Sequence, residues 1–466
     1  MAARGLVSQL SRRAVVIGSG PNGLAAAVVL ARAGLDVEVF EASAAIGGGT
    51  RTEELTLPGF RHDVCSAIHP LAYASPAFRD IGLELDWIES PAACAHPLDD
   101  GTAVTLERDV DATAAQLGTD AGAYRALIEP VVRGVRQFER RRFPRGALPR
   151  VLTSLQSARA VAESAFLGEP ARGFFAGYAA HSVLPLERRP SAGFGLALAA
   201  FGHAVGWPFP RGGSGAIADA LAARLGELGG VIHVSSPVDE LPRADVVLAD
   251  VMPRELLRLG RFPARYADAL RRYRHGPGAF KLDWALDEPI PWTAEACRRA
   301  ATVHLGATFH EIAASERTNR SPRPFVLLAQ PSLFDTSRAP AGKHSAWAYC
   351  HVPNGSADDW TDAIEAQVER FAPGFHDVIA ARSTRGPAEL ASDNRNYVGG
   401  DIGGGMMDLR QLLFRPVRRA VPYRTPLPGV YLCSSATPPG GGVHGLCGWM
   451  AAKVALRDVA KGQTRV

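Results

Sequence analysis

Ala14-Val15-Val16-Ile17 is a short apolar, β-branched run of the kind a buried parallel strand shows, and it stops at Gly18-Ser19-Gly20-Pro21-Asn22-Gly23. The next apolar stretch, about Leu24 to Ala33, predicts a helix ending at Gly34, and Val37-Glu38-Val39-Phe40 reads as a second strand closed by Glu41. Strand, helix and strand in that order predict a βαβ unit. Ser191 to Val205 is apolar but Gly/Ala-rich, contains His203 and falls short of the roughly 18–20 uninterrupted apolar residues of a membrane span, so a buried helix is expected there. Val231-Ile232-His233-Val234, Phe325-Val326-Leu327-Leu328-Ala329 and Gly429 to Ser435 read as further strands. The last is followed by Pro438-Pro439-Gly440-Gly441-Gly442-Val443-His444-Gly445 and an Ala-containing helix through Val454.

At 466 residues the chain exceeds one small core, which implies two or three domains, interleaved or consecutive. Apolar residues at 47 % and charged residues at 21 % are ordinary globular values and exclude disorder or a fibrous repeat. The net charge is +4, and the basic residues are almost all arginine, since lysine occurs only at 281, 343, 453 and 461. Such a bias is compositional, and with no groove pattern of basic and stacking aromatic residues it does not indicate nucleic-acid binding. The cysteines, Cys65, Cys94, Cys297, Cys350, Cys433 and Cys447, are widely separated and form no CxxC pair, so neither a metal site nor a disulfide framework is expected, and a reducing cytoplasm fits. Residues 1–13 carry arginines without the apolar core of a secretory signal. Residues 133–150 interleave Arg133, Arg136, Arg140, Arg141, Arg142, Arg145 and Arg150 with Phe138, Phe143 and Leu148. The favoured reading is a solvated helix face with a basic loop, and the alternative is a peripheral membrane contact.

The first glycine turn has the chemistry of a phosphate cradle. Gly18 permits the tight turn, Gly20 lets backbone approach a pyrophosphate, and Gly23 lets the Ala-rich helix pack on the strand. The helix amino terminus adds a partial positive charge, and Glu41 is spaced to accept hydrogen bonds from ribose hydroxyls. A second turn, Gly47-Gly48-Gly49-Thr50-Arg51-Thr52, brings more backbone N–H groups and Arg51 toward the same phosphates. It resembles the GG element of two-dinucleotide-binding-motif flavoproteins, which points to FAD rather than NAD. Gly212-Gly213-Ser214-Gly215 beside Arg211 also opens a helix, but no β-branched strand runs directly into it and no acid follows at ribose distance, so it reads as a turn and not an NADPH site.

Together with GFRHDVCSAIHPL (59–71), FPRGGSGAIADAL (209–221), GPGAFKLDWALDEPIPW (276–292), PSLFDTSRAPAGKHSAWAY (331–349) and NRNYVGGDIGGG (394–405), the two ends resemble the phytoene-desaturase-like branch of FAD-dependent oxidoreductases, which includes the pyridine nucleotide-disulphide oxidoreductase domain 2 proteins. The resemblance covers nearly the whole chain. It implies an α/β fold, with a Rossmann-like FAD-binding domain built from about 12–95, 200–262 and 388–466, interleaved with a mixed sheet and helix substrate domain from 96–199 and 263–387. It also implies that FAD is held non-covalently by Gly18, Gly20, Gly23, Glu41, Gly48, Gly49, Thr50, Arg51 and the backbone of Val238. The Gly441, Gly442 and Val443 turn would sit at the flavin pyrimidine edge, where a helix amino terminus favours charge on the reduced ring. Ser434, Ala436 and Pro438 stand where relatives often have Gly, Gly and His. The join between Val238-Leu241 and Ala244-Leu248 is short where relatives generally spend a β-hairpin, which predicts a trimmed cofactor domain.

Groups expected near the flavin that could orient substrate or move a proton are His69, His444, Tyr397 and Asp401, with Trp207, Trp449 and Cys447 as pocket-wall candidates. The leading expectation is FAD-dependent oxidation or desaturation of an apolar isoprenoid, acyl or secondary-metabolite substrate, with oxygen or quinone favoured over bound NADP as electron acceptor. Two alternatives stand beside it: a redox-neutral flavin-dependent isomerase, and a lipid or prenyl-binding chaperone resembling GDP-dissociation inhibitors.

Overall fold

The computed structural model describes residues 12–139 and 152–462. Arg140, Arg141, Arg142, Phe143, Arg145, Leu148 and Arg150 of the basic segment, and residues 1–11, lie outside the described residues. The first strand, Arg13–Ile17, is the centre of a five-stranded parallel sheet, and Ala14, Val15 and Val16 are wholly buried because both faces of that sheet are covered. Asp36–Phe40 and then Val231–His233 lie on one side of it, Val246–Ala249 and then Val430–Leu432 on the other. Residues 234–245 contain no strand, so the connection is a plain loop, as the short join predicts.

The helix after the first glycine turn runs Pro21–Arg32 and so begins three residues before the expected Leu24. Proline's fixed φ suits the first helical position, where its missing N–H is not needed. This helix is sandwiched by the helices Gly215–Glu227 and Leu446–Ala460 in one apolar cluster that includes Leu24, Val28, Leu221, Ala451 and Ala455. Contact with the last helix is backbone-close, since a Cβ on Gly448 would lie 1.8 Å from the Asn22 carbonyl oxygen.

A second, seven-stranded sheet has the order Ile379–Arg385, Gly278–Leu286, His344–Val352, Val326–Ala329, Thr302–Leu305, Ala95–Pro97, Ala103–Thr105. All its pairs are antiparallel except Thr302–Leu305 with Ala95–Pro97. The strand His344–Val352 alternates as a two-faced sheet requires. Ala346, Ala348, Cys350 and Val352 enter the core behind the sheet, while Trp347, Tyr349 and His351 face a cavity. Helices Ala121–Glu139, Ala158–Ala165, Glu169–Ala180 and Ser191–Val205 pack as a layer of their own. Ser191–Val205 is the expected buried helix, with His203 fully enclosed and its Nε2 2.8 Å from the Tyr124 hydroxyl. Among the described residues no helix is long and apolar enough to cross a membrane.

A buried ion pair joins the two sheets' surroundings. Asp63, at the end of the strand Arg61–Asp63, accepts from Thr52 Oγ1 at 2.9 Å, the Ser214 N–H at 2.7 Å and Arg338 Nη2 at 2.6 Å. Both side chains of the pair are 1 % exposed. Burial pushes the Asp63 carboxyl up, but Arg338, the Ser214 N–H and the Thr52 hydroxyl outweigh it and hold the carboxyl below its ordinary value of 3.8. Its contribution to stability is therefore present above the unfolded-state value and lost as pH falls through the lower folded value. Removing one partner leaves a buried charge alone, so Arg338→Met is expected to destabilise the fold by about 3–5 kcal/mol in denaturant titration at pH 7. A loss under about 1 kcal/mol would show that the pair does not hold these segments together.

Candidate functional site

One cavity of about 760 Å³ is lined from both sheets, from the first glycine turn to the Trp347-Tyr349-His351 face. Gly18, Gly20, Glu41, Gly48, Gly49, Thr50, Arg51 and Val238 all line it at one end, and Gly441, Gly442 and Val443 join them further in. Gly23 does not reach the cavity. It is pressed on the first strand's exit, where a Cβ would lie 2.1 Å from the Gly18 carbonyl oxygen.

Glu41 is held ready for a ligand. Its Oε2 accepts from the Ser19 N–H at 2.9 Å and the Ser19 hydroxyl at 2.6 Å, and its Oε1 accepts from the Ser43 N–H at 2.8 Å. Arg51 is 8 % exposed, bonds the Gly48 carbonyl through Nε at 3.2 Å and pairs with Asp393. Thr50 closes its own turn by donating to the Gly47 carbonyl at 2.8 Å.

This end fits a dinucleotide. The helix Pro21–Arg32 has no side-chain cap from its own N-cap residue, Gly20, and its first residues Pro21 and Asn22 line the cavity, while the Gly23 N–H is taken by Asp250. Asn22 Oδ1 beside it is buried without a partner among the described residues. A Cβ at Gly20 would come within 2.9 Å of Asp250 Oδ2, so any side chain there must displace that carboxyl. Asp250 is the unexpected member of the group. Its Oδ2 accepts from the Gly23 N–H at 2.9 Å, and it lines the same corner that a pyrophosphate would use. Burial, opposed by the Gly23 N–H and reinforced by Glu41, pushes its carboxyl up to about 7. A neutral carboxyl is compatible with phosphate there and an ionised one is not.

The four proton-handling candidates separate. His69, Tyr397 and Asp401 line the cavity, whereas His444 does not. His444 Nδ1 accepts from the Leu446 N–H at 3.0 Å, so the ring caps the start of the last helix. The Asp401 carboxylate gathers the N–H groups of Gly276, Gly403 and Gly405 at 2.8–2.9 Å and so shapes a turn. Tyr397 packs its hydroxyl where a Cβ on Gly49 would be, 2.3 Å away, and its burial, together with Cys65, raises its phenol well above the usual value.

His69 is better placed for chemistry. Ser214 donates its one hydroxyl proton to the Ser66 carbonyl at 2.5 Å, so its oxygen accepts from His69 Nε2–H at 2.7 Å. His69 Nδ1 is then an unprotonated acceptor, buried and without a partner among the described residues. Burial, chiefly, brings the imidazole down to about 4, so it is neutral at physiological pH. Of the wall candidates Trp207 lines the cavity, while Cys447 donates to the Thr437 carbonyl and Trp449 to Asp80.

Sequence reasoning passed over His181, His351, Trp347 and Tyr349, which line the inner end. They come from the end of one helix and from alternate positions of one strand, and no motif links them. The only available signal was the alternation in His344–Val352. The turn at 212–215 is already satisfied internally. Gly212, Ser214 and Gly215 give their N–H groups to Asp335, Asp63 and Thr52 at 2.7–2.9 Å.

Comparison with known proteins agrees with this geometry. Residues 16–81 match the model for an NAD(P)-binding Rossmann-like domain. The chain is 26 % identical to pyridine nucleotide-disulfide oxidoreductase domain-containing protein 2 of Mus musculus, over 96 % of this chain and 93 % of that protein. It is 28 % identical to a phytoene dehydrogenase of Streptomyces griseus, over 73 % of each chain. Among solved structures, an oxidoreductase from Methanosarcina mazei superposes with a TM-score of 0.65 at 18 % identity, covering 96 % of this chain and all of that one, so the fold is shared. Along nearly its full length, with the Rossmann match at its amino terminus, this chain is similar to the phytoene-desaturase-like FAD-dependent oxidoreductases.

Proposed function

We propose that the chain binds one FAD non-covalently along the cavity and oxidises an apolar or partly apolar substrate held at its inner end. The observation that carries this reading is the continuity of the cavity. The glycine turns and Glu41 open into the same space as Trp207, Leu198, Leu327, Trp347 and Tyr349. A nucleotide-sized polar trench that ends in an aromatic and aliphatic chamber suits a cofactor laid end to end with a greasy substrate.

When bound, the flavin supplies a two-electron acceptor for a substrate C–H bond. Everything else falls to the chain. Glu41 would take the ribose hydroxyls, Gly20, the turn at Gly48–Thr50 and Arg51 the phosphates, Val238 backbone the adenine, and Gly441 to Val443 the ring edge. The aromatic walls exclude water and orient the substrate, and His69 Nδ1 offers a fixed, neutral proton acceptor. Oxygen or quinone is the favoured electron acceptor, because the N–H groups of the 212–215 turn are committed to Asp335, Asp63 and Thr52.

The purified protein reconstituted with FAD is expected to show a flavin spectrum, to release the flavin on acid precipitation, and to bleach anaerobically with a substrate of this class. Gly20→Val should abolish flavin retention, and Glu41→Ala should weaken it by roughly ten- to a hundredfold, the value of hydrogen bonds to a charged group. A full flavin complement in Gly20→Val would overturn the cradle.

Asp250 adds a pH dependence. Its protonated form tolerates a pyrophosphate, so flavin affinity should be full below about pH 7 and fall as pH rises through that value, by up to about tenfold per unit. The same raised value means that Asp250 supports the flavin-free fold below the unfolded value near 4 and ceases to do so as pH climbs to about 7. Flavin fluorescence titrations between pH 6 and 8.5 should show the slope in the wild type and its loss in Asp250→Asn. An equal slope in both would assign the effect elsewhere.

A further inference from the structure

The positive charge of the chain is not spread evenly. Residues 264–274 and 408–420 together hold eight arginines against two acids, Asp268 and Asp408, an excess larger than the +4 of the whole chain. The remainder is therefore slightly acidic, and a general bias toward arginine does not account for the excess here. The two segments form one face. The helix Ala264–Arg271 and the stretch that begins with the helix Leu409–Phe414 share an apolar cluster through Tyr266, Leu270, Tyr273 and Val417. Gln411 Nε2 donates to the Arg274 carbonyl at 2.8 Å, and the Arg419 guanidinium stands over the Tyr266 ring, 5.6 Å from its centroid.

Both acids of this face are already taken, Asp268 by Arg271 and Asp408 by Arg274. Arg265, Arg272, Arg410, Arg418 and Arg419 are exposed and form no ion pair among the described residues. Between them project two apolar side chains, Leu413 at 68 % exposure and Phe414 at 43 %. The next residue holds this tip in place. Arg415 is fully buried, and its Nη2 donates to the Tyr273 hydroxyl at 2.7 Å and to the Gly404 carbonyl at 2.6 Å. Its Nη1 lies 2.6 Å from where a Cβ on Gly440 would be, so the basic face is the outer side of the wall that carries the 440–443 turn. A nucleic acid would stack bases on exposed aromatic rings, but the Phe414 ring is covered by the Arg418 guanidinium, 5.1 Å from its centroid. A folded acidic partner would need a pocket cut to the two projecting side chains, whereas acyl chains close around them without one. Arginine stems lie along such a boundary while their guanidinium groups reach lipid phosphates.

We propose that this face is a docking surface for an anionic lipid bilayer, with Leu413 and Phe414 entering the acyl boundary and the five arginines without ion pairs set against lipid phosphates. Docking sets the wall of the 440–443 turn beside the bilayer, where an apolar substrate and a quinone both dissolve. The surface alone carries this inference, which stands apart from the reading of the cavity.

The FAD-loaded protein is sedimented with vesicles of phosphatidylcholine alone and of phosphatidylcholine mixed with phosphatidylglycerol, at low and at high salt. It should co-sediment with the anionic vesicles at low salt, stay in the supernatant with the neutral ones, and be released as salt rises. Arg265→Gln/Arg410→Gln/Arg418→Gln should lower partitioning by about fivefold per arginine, on the order of a hundredfold in all. Leu413→Ser/Phe414→Ser should lower it by about tenfold or more at the same salt. Arg133→Glu/Arg136→Glu, in the other basic segment, should leave it within about threefold, because screening confines each contribution to its own neighbourhood. All these positions are exposed, and circular dichroism with thermal unfolding checks that each variant is folded. Equal recovery in the supernatant with neutral and anionic vesicles at low salt overturns the proposal, as does binding that survives the triple glutamine variant or is lost only in the 133/136 reversal. Retention on immobilised polyglutamate that matches vesicle binding and is indifferent to Leu413→Ser/Phe414→Ser would assign the face to an acidic protein and overturn the bilayer. The readout is sedimentation, so a failure to take up FAD would overturn the cofactor reading and leave this test standing.

Discussion

Everything in the cofactor end depends on how closely backbone can approach backbone at the first helix. Gly23 sits against the Gly18 carbonyl and Gly448 against the Asn22 carbonyl, at separations that leave no room for a methyl group. The first contact sets the helix on its strand and the second clamps the last helix onto the first. Glycine here does not serve a turn. It removes the side chain that would hold three pieces of backbone apart, and the cradle's geometry follows. Because the last helix is capped by His444 and preceded by the 440–443 turn, the same clamp places that turn in the cavity wall.

Two aspartates show how environment assigns opposite tasks to one residue type. Asp63 is surrounded by a guanidinium, a hydroxyl and an N–H, and its charge is the reason these groups converge. Asp250 has one N–H for a partner and Glu41 nearby, so its charge is disfavoured and its neutral form fills space beside the helix amino terminus. Acidic side chains in a phosphate corner would ordinarily argue against phosphate. Here burial removes the conflict over part of the pH range.

The parts of this architecture that read clearly in the sequence are those in which a few consecutive residues carry the constraint. The βαβ unit, the glycine turns and the buried helix Ser191–Val205 are of that kind, since each depends on local periodicity or on a single missing Cβ. The helix start was misplaced by three residues because Asn22 and Gly23 look like loop formers, while Pro21 was already serving as the first helical residue. The helix-capping bond of His444 was not legible, because a histidine beside a glycine turn has the same sequence appearance whether it faces a ligand or caps a helix. The inner chamber was nearly illegible. Glu316 and His351 are 35 positions apart on a helix and a strand, and His181 enters from a different layer. Only the packing of the seven-stranded sheet brings them together, and Asp250 likewise reaches the cradle from a strand separated from it by more than two hundred residues.

The order of the parallel sheet has a consequence for the life of the molecule on the ribosome. The strand Val430–Leu432 and the helix clamped to Asn22 follow the cradle they complete by several hundred residues of chain. Until those distant segments emerge and pack, the Ala-rich helix keeps an apolar face uncovered and the cradle stays open on that side.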